Sequence, residues 1–296
     1  MSSLRISIVT PSFNQANFLN QTISSVLDQN YENLEYIVID GGSNDGSIEI
    51  IEKYASRLHY WVSEKDRGQS DAINKGFSKA TGDIYGWINS DDYLLPGSLK
   101  AISTYFSNES TCDVINGGCL LVDQHSQHIQ KKVPGSDSTS STRRIETTAT
   151  DCFEKWTASW FAQQSTFWRS NLWQDVGGLR TDLHYAMDFD LWMRFARLTE
   201  IKPIPDVLAA YRFHSDAKCS SQWYKVLLEV LKVQAGPEAN LNEAFWDHSA
   251  TIFEQCAKRE QQLQQELDRL RQKSPPPRQS RATQLKSFLL SLTAKS

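Results

Sequence analysis

Apolar runs of strand length alternate with apolar positions at helical spacing over the first hundred residues. Residues 6–10 are a continuous apolar stretch, Leu19, Ile23, Val26 and Leu27 then recur at a helical period, and residues 34–39 form a second run. Ile48, Ile51 and Tyr54 line another helix, residues 59–62 a third strand, residues 70–79 a third helix, and DIYGWIN at 83–89 a fourth strand. This order predicts a βαβαβ unit with right-handed crossovers, hence a parallel sheet. Each strand but the third runs into polar punctuation: Pro11 to Gln15, the DGGSNDG of 40–46, and Ser90-Asp91-Asp92. Three loops therefore converge on one edge of the sheet, the edge where open α/β sheets hold ligands.

Beyond residue 100 the pattern predicts two strands within 112–133 around the turn DQHSQ, a strand over 163–169, a short helix over 171–177, a helix in YAMDFDLWMRFARL, and a strand over 201–213. Residues 136–151, dominated by Ser and Thr, are too polar to pack, and a mobile loop covering a crevice is expected. From Trp223 the character changes. Val226, Leu227, Val230 and Leu231 mark an amphipathic helix, and Leu263, Leu267 and Leu270 mark another over 243–273 that is too short for a coiled coil. Pro275-Pro276-Pro277 ends it. The expected organisation is an α/β domain at 1–222, a helical extension at 223–273, and a Pro-containing basic linker with a short amphipathic tail at 274–296.

A chain of 296 residues, 40% hydrophobic, can bury a full core. Its net charge of -4 gives no general nucleic-acid footprint. Five cysteines without a C-x-x-C pair argue against a disulfide framework or a zinc site and for reduced thiols. No stretch resembles a signal peptide or a membrane span, so a cytoplasmic protein is expected. The tail qualifies that expectation. From residue 269 on there are seven Lys or Arg and no acid, and Leu285, Phe288, Leu289 and Leu292 form one helical stripe. Peripheral contact with an anionic membrane through 269–296 follows as an expectation.

The chemistry concentrates at the strand ends. Asp91 and Asp92 are adjacent carboxylates after a buried strand, and like charges there repel unless a cation neutralises them. They suit a divalent metal holding a phosphorylated ligand, or else a solvated turn capping the next helix. Asp40 can accept hydrogen bonds from a base or ribose, while Gly41 and Gly42 allow backbone to approach a flat ligand. The loop lacks Rossmann glycine spacing and does not fit a calcium loop. Arg67 could meet a phosphate, although a lone loop Arg is more often solvated, and Ser70 and Asp71 cap the helix that follows. Asp188 falls at a helix start, as a crevice carboxylate or an N-cap. His214 follows a strand, as a metal ligand or a structural residue.

TPSFNQ, VIDGGSNDGS, DRGQSDAINKGF, WINSDDYLLPG, QQSTFWR, VGGLR, MDFDLWMRF and YRFH occur in this order over about residues 4–220, and together they resemble the family 2 glycosyltransferases. The resemblance implies a GT-A-like fold, with a mostly parallel central sheet and flanking helices. It also implies inverting transfer of a sugar from a nucleotide-sugar donor, UDP-linked, to a glycan or lipid-linked acceptor in cell-surface polysaccharide or glycolipid synthesis. Carried over by position, Thr10, Pro11, Asn14 and Asp40 hold the nucleotide, with Arg67, Asp71 and Asp91 also on the nucleotide-sugar side. Asp91, Asp92 and His214 hold Mg²⁺ or Mn²⁺, Asp188 is the base, and Gln164 lies toward the acceptor.

Two positions depart from the family pattern. Asn89 stands where the first acid of D-x-D is usual, and Met187 where a Glu often precedes the base. A sugar-phosphate nucleotidyltransferase would want a Gly-rich, basic N-terminal loop, which TPSFNQ is not. A catalytically silent scaffold would have lost the base, and Asp188 is present.

Overall fold

A computed structural model describes residues 3–134, 161–214, 217, 223–235 and 258. The chain divides into two compact units, residues 1–240 and 241–296. The first contains β1 (Ile6–Ser12), α1 (Ala16–Leu27), β2 (Leu34–Asp40), α2 (Ser47–Tyr54), β3 (Tyr60–Ser63), α3 (Gln69–Phe77), β4 (Ile84–Trp87), β5 (Tyr93–Leu94), α4 (Ser98–Asn108), β6 (Val114–Val122) and β7 (His128–Lys132). It continues with β8 (Thr166–Arg169), α5 (Ser170–Val176), α6 (Met187–Leu198), β9 (Ile201–Arg212) and α7 (Trp223–Ala235).

The continuous apolar runs are strands covered on both faces, as the period of two requires. Tyr36 and Val38 of β2 enter a core with Leu19, Ile23 and Val26 of α1 and Leu99, Ile102 and Phe106 of α4. Their neighbours Ile37 and Ile39 enter the opposite core with Ile73 and Phe77 of α3 and Leu191 and Phe195 of α6. Helix α3 lies hard against β1: a Cβ at Gly76 would stand 2.5 Å from Val9 Cγ1.

Nine strands form one sheet in the order β3-β2-β1-β4-β8-β6-β9-β5, with β7 on β6. The first four strands of that order are parallel, as is β6 with β9; the other four pairings are antiparallel. The sheet is therefore mixed, and its parallel half is the half whose strand ends meet the three loops. Ser12 pairs with Asp40 and Asp40 with Ser63, so β1, β2 and β3 end level at one edge.

One expectation is revised. Residues 163–165 form a 3-10 turn before β8 rather than strand, because the Gln163 amide is drawn inward to donate to Trp87 O at 2.8 Å. The two-residue β5 pairs with β9 through Tyr93–Ala210 and Leu94–Ala209, a partnership too short to leave a periodic signal. The first compact unit runs to residue 240, and α7 packs on α6. The expected loop at 136–151, the helix over 243–273 and the basic tail at 269–296 lie outside the described residues, Lys258 apart. Among the described residues, no helix is long and apolar enough to cross a membrane.

Candidate active site

A cavity of about 460 Å³ opens at the carboxyl edge of the parallel strands. Pro11, Ser12 and Phe13 from the end of β1, Gly41 after β2, Lys65, Asp66, Gly68 and Gln69 around the start of α3, and Asn89 to Asp91 after β4 line it. Gln163, His184, Tyr185, Met187, Asp188, Tyr211 and Ala217 close the other side. Most of the wall thus comes from loops after parallel strands, and Asp188 comes from the first turn of α6.

Asp188 is half-buried and gives one carboxyl oxygen to the Phe189 N–H at 2.7 Å. Burial, with a smaller contribution from the negative charge of Glu229, pushes its pKa up to about 6. A carboxylate so tuned takes a proton most effectively near neutral pH.

Asp91 faces the same cavity, and its Oδ2 lies 3.1 Å from His214 Nε2. The His214 ring is held against Phe18, with ring centroids 4.8 Å apart. Asp92 turns the other way and is fully buried. Its carboxylate accepts the Arg212 N–H at 2.9 Å and the Gln164 amide at 3.3 Å, and burial together with the charge of Asp91 raises its pKa well above the ordinary carboxylate value. The Thr22 hydroxyl, 2.8 and 2.7 Å from the carbonyls of Ser90 and Asp92, fixes this turn from α1. Of the two expected metal carboxylates, the turn sends Asp91 toward the cavity and Asp92 into the core.

Other expected site residues divide in the same way. Pro11 lines the cavity, whereas Thr10 is buried with its hydroxyl 3.0 Å from that of Tyr36. Asn14, at φ +51°, accepts the Asn44 N–H and donates its own N–H to Ser43, tying the loops after β1 and β2 together. Asp40 is fully buried, and Gly42 N–H, Ser43 N–H and the hydroxyls of Ser43 and Ser63 occupy its oxygens. That carboxylate shapes the loop presenting Gly41, which itself lines the cavity. Arg67 and Asp71 form an exposed ion pair at 2.8 Å outside the wall. Gln164 is buried on Asp92; its neighbour Gln163 faces the cavity.

Sequence reasoning missed a chain of amides on this wall. Gln69 donates to Asn89 Oδ1 at 2.8 Å, Asn89 donates to Gln163 at 3.2 Å, and Gln163 donates to Trp87 O. Asn89 is donor and acceptor at once, a pairing that a carboxylate could not supply. Arg212 was missed as well. It is 2% exposed, and its guanidinium reaches Asp91 O, Gln21 and Ser126 while lying over the rings of Phe18 and Tyr93. Buried side chains of this kind leave no periodic signal; the adjacent QQ and the Arg inside YRFH were the only cues.

The family model for glycosyl transferase family 2 matches residues 7–161, from β1 through the loops that build the cavity. The chain belongs to glycosyl transferase family 2. This family 2 chain is 28% identical over 210 residues to an uncharacterised glycosyltransferase of Rickettsia typhi, a match covering 71% of the chain and 64%, just under two thirds, of that relative. It is 40% identical over 98 residues to an uncharacterised glycosyltransferase of Haemophilus influenzae, covering 32% of the chain and 39% of that relative. Its fold resembles S. aureus TarS 1–349 in complex with UDP, with a TM-score of 0.57 at 17% identity over 84% of this chain and 70% of that one. It also resembles the mannosyltransferase PcManGT from Pyrobaculum calidifontis in complex with GDP-Man and Mn²⁺, with a TM-score of 0.59 at 17% identity over 99% and 81%. These neighbours are GT-A glycosyltransferases, and the family 2 chain shares their mixed sheet with flanking helices.

Among the described residues, no group of three or more His, Cys, Asp or Glu side chains could hold a metal. Asp91 with His214 gives a pair of O and N donors, at a cavity edge where further ligands can come from a bound diphosphate. That set fits Mg²⁺ or Mn²⁺, which in phosphoryl sites take one or two protein ligands and substrate oxygens, and the imidazole favours Mn²⁺.

Proposed function

We propose that this family 2 glycosyltransferase moves a sugar from a nucleoside diphosphate, UDP, to an acceptor hydroxyl with inversion. One observation carries the reading: Asp91, beside His214, and Asp188, with its pKa raised to about 6, open into the same cavity. Asp188 takes the proton of the acceptor hydroxyl as that oxygen forms its bond to the anomeric carbon. The carbon–oxygen bond to the diphosphate breaks on the opposite face, and its electron pair leaves with the diphosphate. A divalent ion at Asp91 and His214, when bound, supplies neutralisation of the charge on that leaving group. Lys65, the one Lys or Arg among the described lining residues, adds positive charge to the wall. Phe13, 59% exposed, offers a flat apolar face to a base at the mouth.

The UDP-bound form of the TarS neighbour and the Mn²⁺- and GDP-Man-bound form of PcManGT support a nucleotide-sugar donor and a metal. The acceptor class is a glycan or a lipid-linked glycan. The test is incubation of the protein with UDP- and GDP-sugars and Mn²⁺, reading slow donor hydrolysis. Release of UDP from at least one UDP-sugar, abolished in Asp188→Asn and in Asp91→Asn, is expected. Release from GDP-sugars alone would overturn the UDP assignment, and an Asp188→Asn variant with full transfer would overturn the base.

A further inference from the structure

We infer that Glu229, on α7, is a positioning residue for the active site: its carboxylate clamps the turn of 184–186 and so fixes the start of the helix that carries Asp188. The inference rests on the reading of Asp188 as the base. Glu229 Oε1 accepts the His184 N–H at 2.9 Å, and Oε2 accepts the N–H groups of His184, Tyr185 and Ala186 at 3.0, 2.7 and 2.9 Å. Three consecutive backbone donors therefore converge on one side chain 43 to 45 residues away in sequence. Ala186 is the N-cap of α6, and it makes no side-chain capping hydrogen bond. A buried helix start needs partners for its free N–H groups, and a negative charge there also suits the helix dipole.

Apolar packing keeps the clamp in register. Val230, next to Glu229, is fully buried against Ala186 and Phe189, with Met193, Val226 and Val233 around them. Val226, Val230 and Val233 recur at helical spacing, so one stripe of α7 covers the first turn of α6. Among the described residues, ionisable groups beside the clamp include Asp188 on α6, His184 and Tyr185 on the turn, and Lys225 on α7, whose amino group lies 5.7 Å from the centre of the Tyr185 ring. Glu229 does not line the cavity, whereas His184, Tyr185, Met187 and Asp188 all do. It acts on the wall from behind. With Met187 uncharged beside the base, the carboxylate that neighbours Asp188 comes from another helix, and it adds to the upward pKa shift there.

The full chain is tested as Glu229→Ala and Glu229→Gln, with Asp188→Asn alongside, by amide hydrogen exchange over 183–189, UDP affinity, and turnover against pH. Glu229→Ala should speed exchange at 184–186 by about tenfold or more, because a closed turn has lost its anchor. It should lower kcat about 10- to 100-fold with the UDP Kd within about twofold, the signature of a displaced base rather than a lost ligand contact. Glu229→Gln keeps an acceptor oxygen of the same reach, so it should restore part of both. Losing the charge should also move its acid limb of kcat to lower pH. If Glu229→Ala does not fold, the exchange and acid limb of Glu229→Gln decide. Wild-type exchange and an unmoved acid limb in the Glu229 variants, with Asp188→Asn inactive, overturn the positioning role alone. Full turnover in Asp188→Asn overturns the base reading, and the positioning role with it.

Discussion

The backbone N–H of Arg212 donates to Asp92 Oδ1 at 2.9 Å, joining the end of β9 to the turn after β4 inside the core. Arg212 Nε also reaches Asp91 O at 2.8 Å, so one residue holds both halves of the Asp91-Asp92 pair. Asp92 is thus a fastening for the turn, and Asp91 is what the turn presents.

The two aspartates should separate cleanly under substitution. Asp92→Ala strands the Arg212 N–H and the Gln164 amide in the core and should cost about 2–3 kcal/mol of stability. Asp92→Asn keeps an acceptor for Arg212 and should stay within about 1 kcal/mol of wild type while retaining metal-dependent UDP binding. Asp91→Asn should fold normally and lose that metal dependence. Denaturant unfolding and UDP calorimetry with and without Mn²⁺ check both; loss of metal dependence in Asp92→Asn would return Asp92 to the metal site.

His214 should matter through the same ion. Its imidazole lies 3.1 Å from Asp91, and the Phe18 ring packs against it with centroids 4.8 Å apart. His214→Gln should raise the Mn²⁺ concentration giving half-maximal transfer about tenfold or more, with maximal turnover at saturating metal changed less. An unaltered metal requirement would make the His214–Asp91 contact a plain hydrogen bond.

Much of this was legible in the chain because buried parallel strands and amphipathic helices write their burial into the sequence. The runs at 6–10 and 34–39 became β1 and β2, and Asp188 stands at the start of α6. The direction of individual side chains was not legible. Whether Asp91 or Asp92 faces the cavity depends on a turn fastened by Thr22 and Arg212, residues 70 and 120 positions away. Asp40 reads as a ligand group from its place at a strand end and Asn14 from the family resemblance, and the hydrogen bonds that neighbouring loop donors give to both were not legible. Glu229 left no mark at all, since one Glu on an amphipathic helix is ordinarily solvated.

The amide chain on the cavity wall gives a further expectation. Asn89→Asp replaces the donor facing Gln163 with a second acceptor and puts a third carboxylate into the segment that carries Asp91. Gln163 can rotate its amide to donate to the new acid, but it then leaves Trp87 O unpaired in the core. The variant should lose about 1–2 kcal/mol of stability in the absence of metal and recover part of it with Mn²⁺, which the added charge attracts. Thermal unfolding with and without Mn²⁺ measures this, and equal destabilisation in both conditions would mean that Asn89 serves packing alone.

Asp188 sets the pH behaviour of both rate and stability. With its pKa raised to about 6, transfer should fall roughly tenfold per pH unit below that value as the base becomes protonated. The stability effect has the opposite sense. A carboxyl whose folded pKa lies above its unfolded one stabilises the fold fully below about pH 4, and that contribution is lost as pH rises through 6. Asp188→Asn keeps an oxygen to accept the Phe189 N–H and removes the buried charge, so it should match wild type near pH 4 and exceed it at pH 8 by on the order of 1–2 kcal/mol, allowing for the partial exposure of the group. Turnover should drop about 100-fold or more in the same variant. A protein that gains stability at pH 8 while losing turnover is one that carries a destabilising carboxylate for its chemistry. A variant with unchanged stability at pH 8 and unchanged turnover would leave Asp188 as a helix cap.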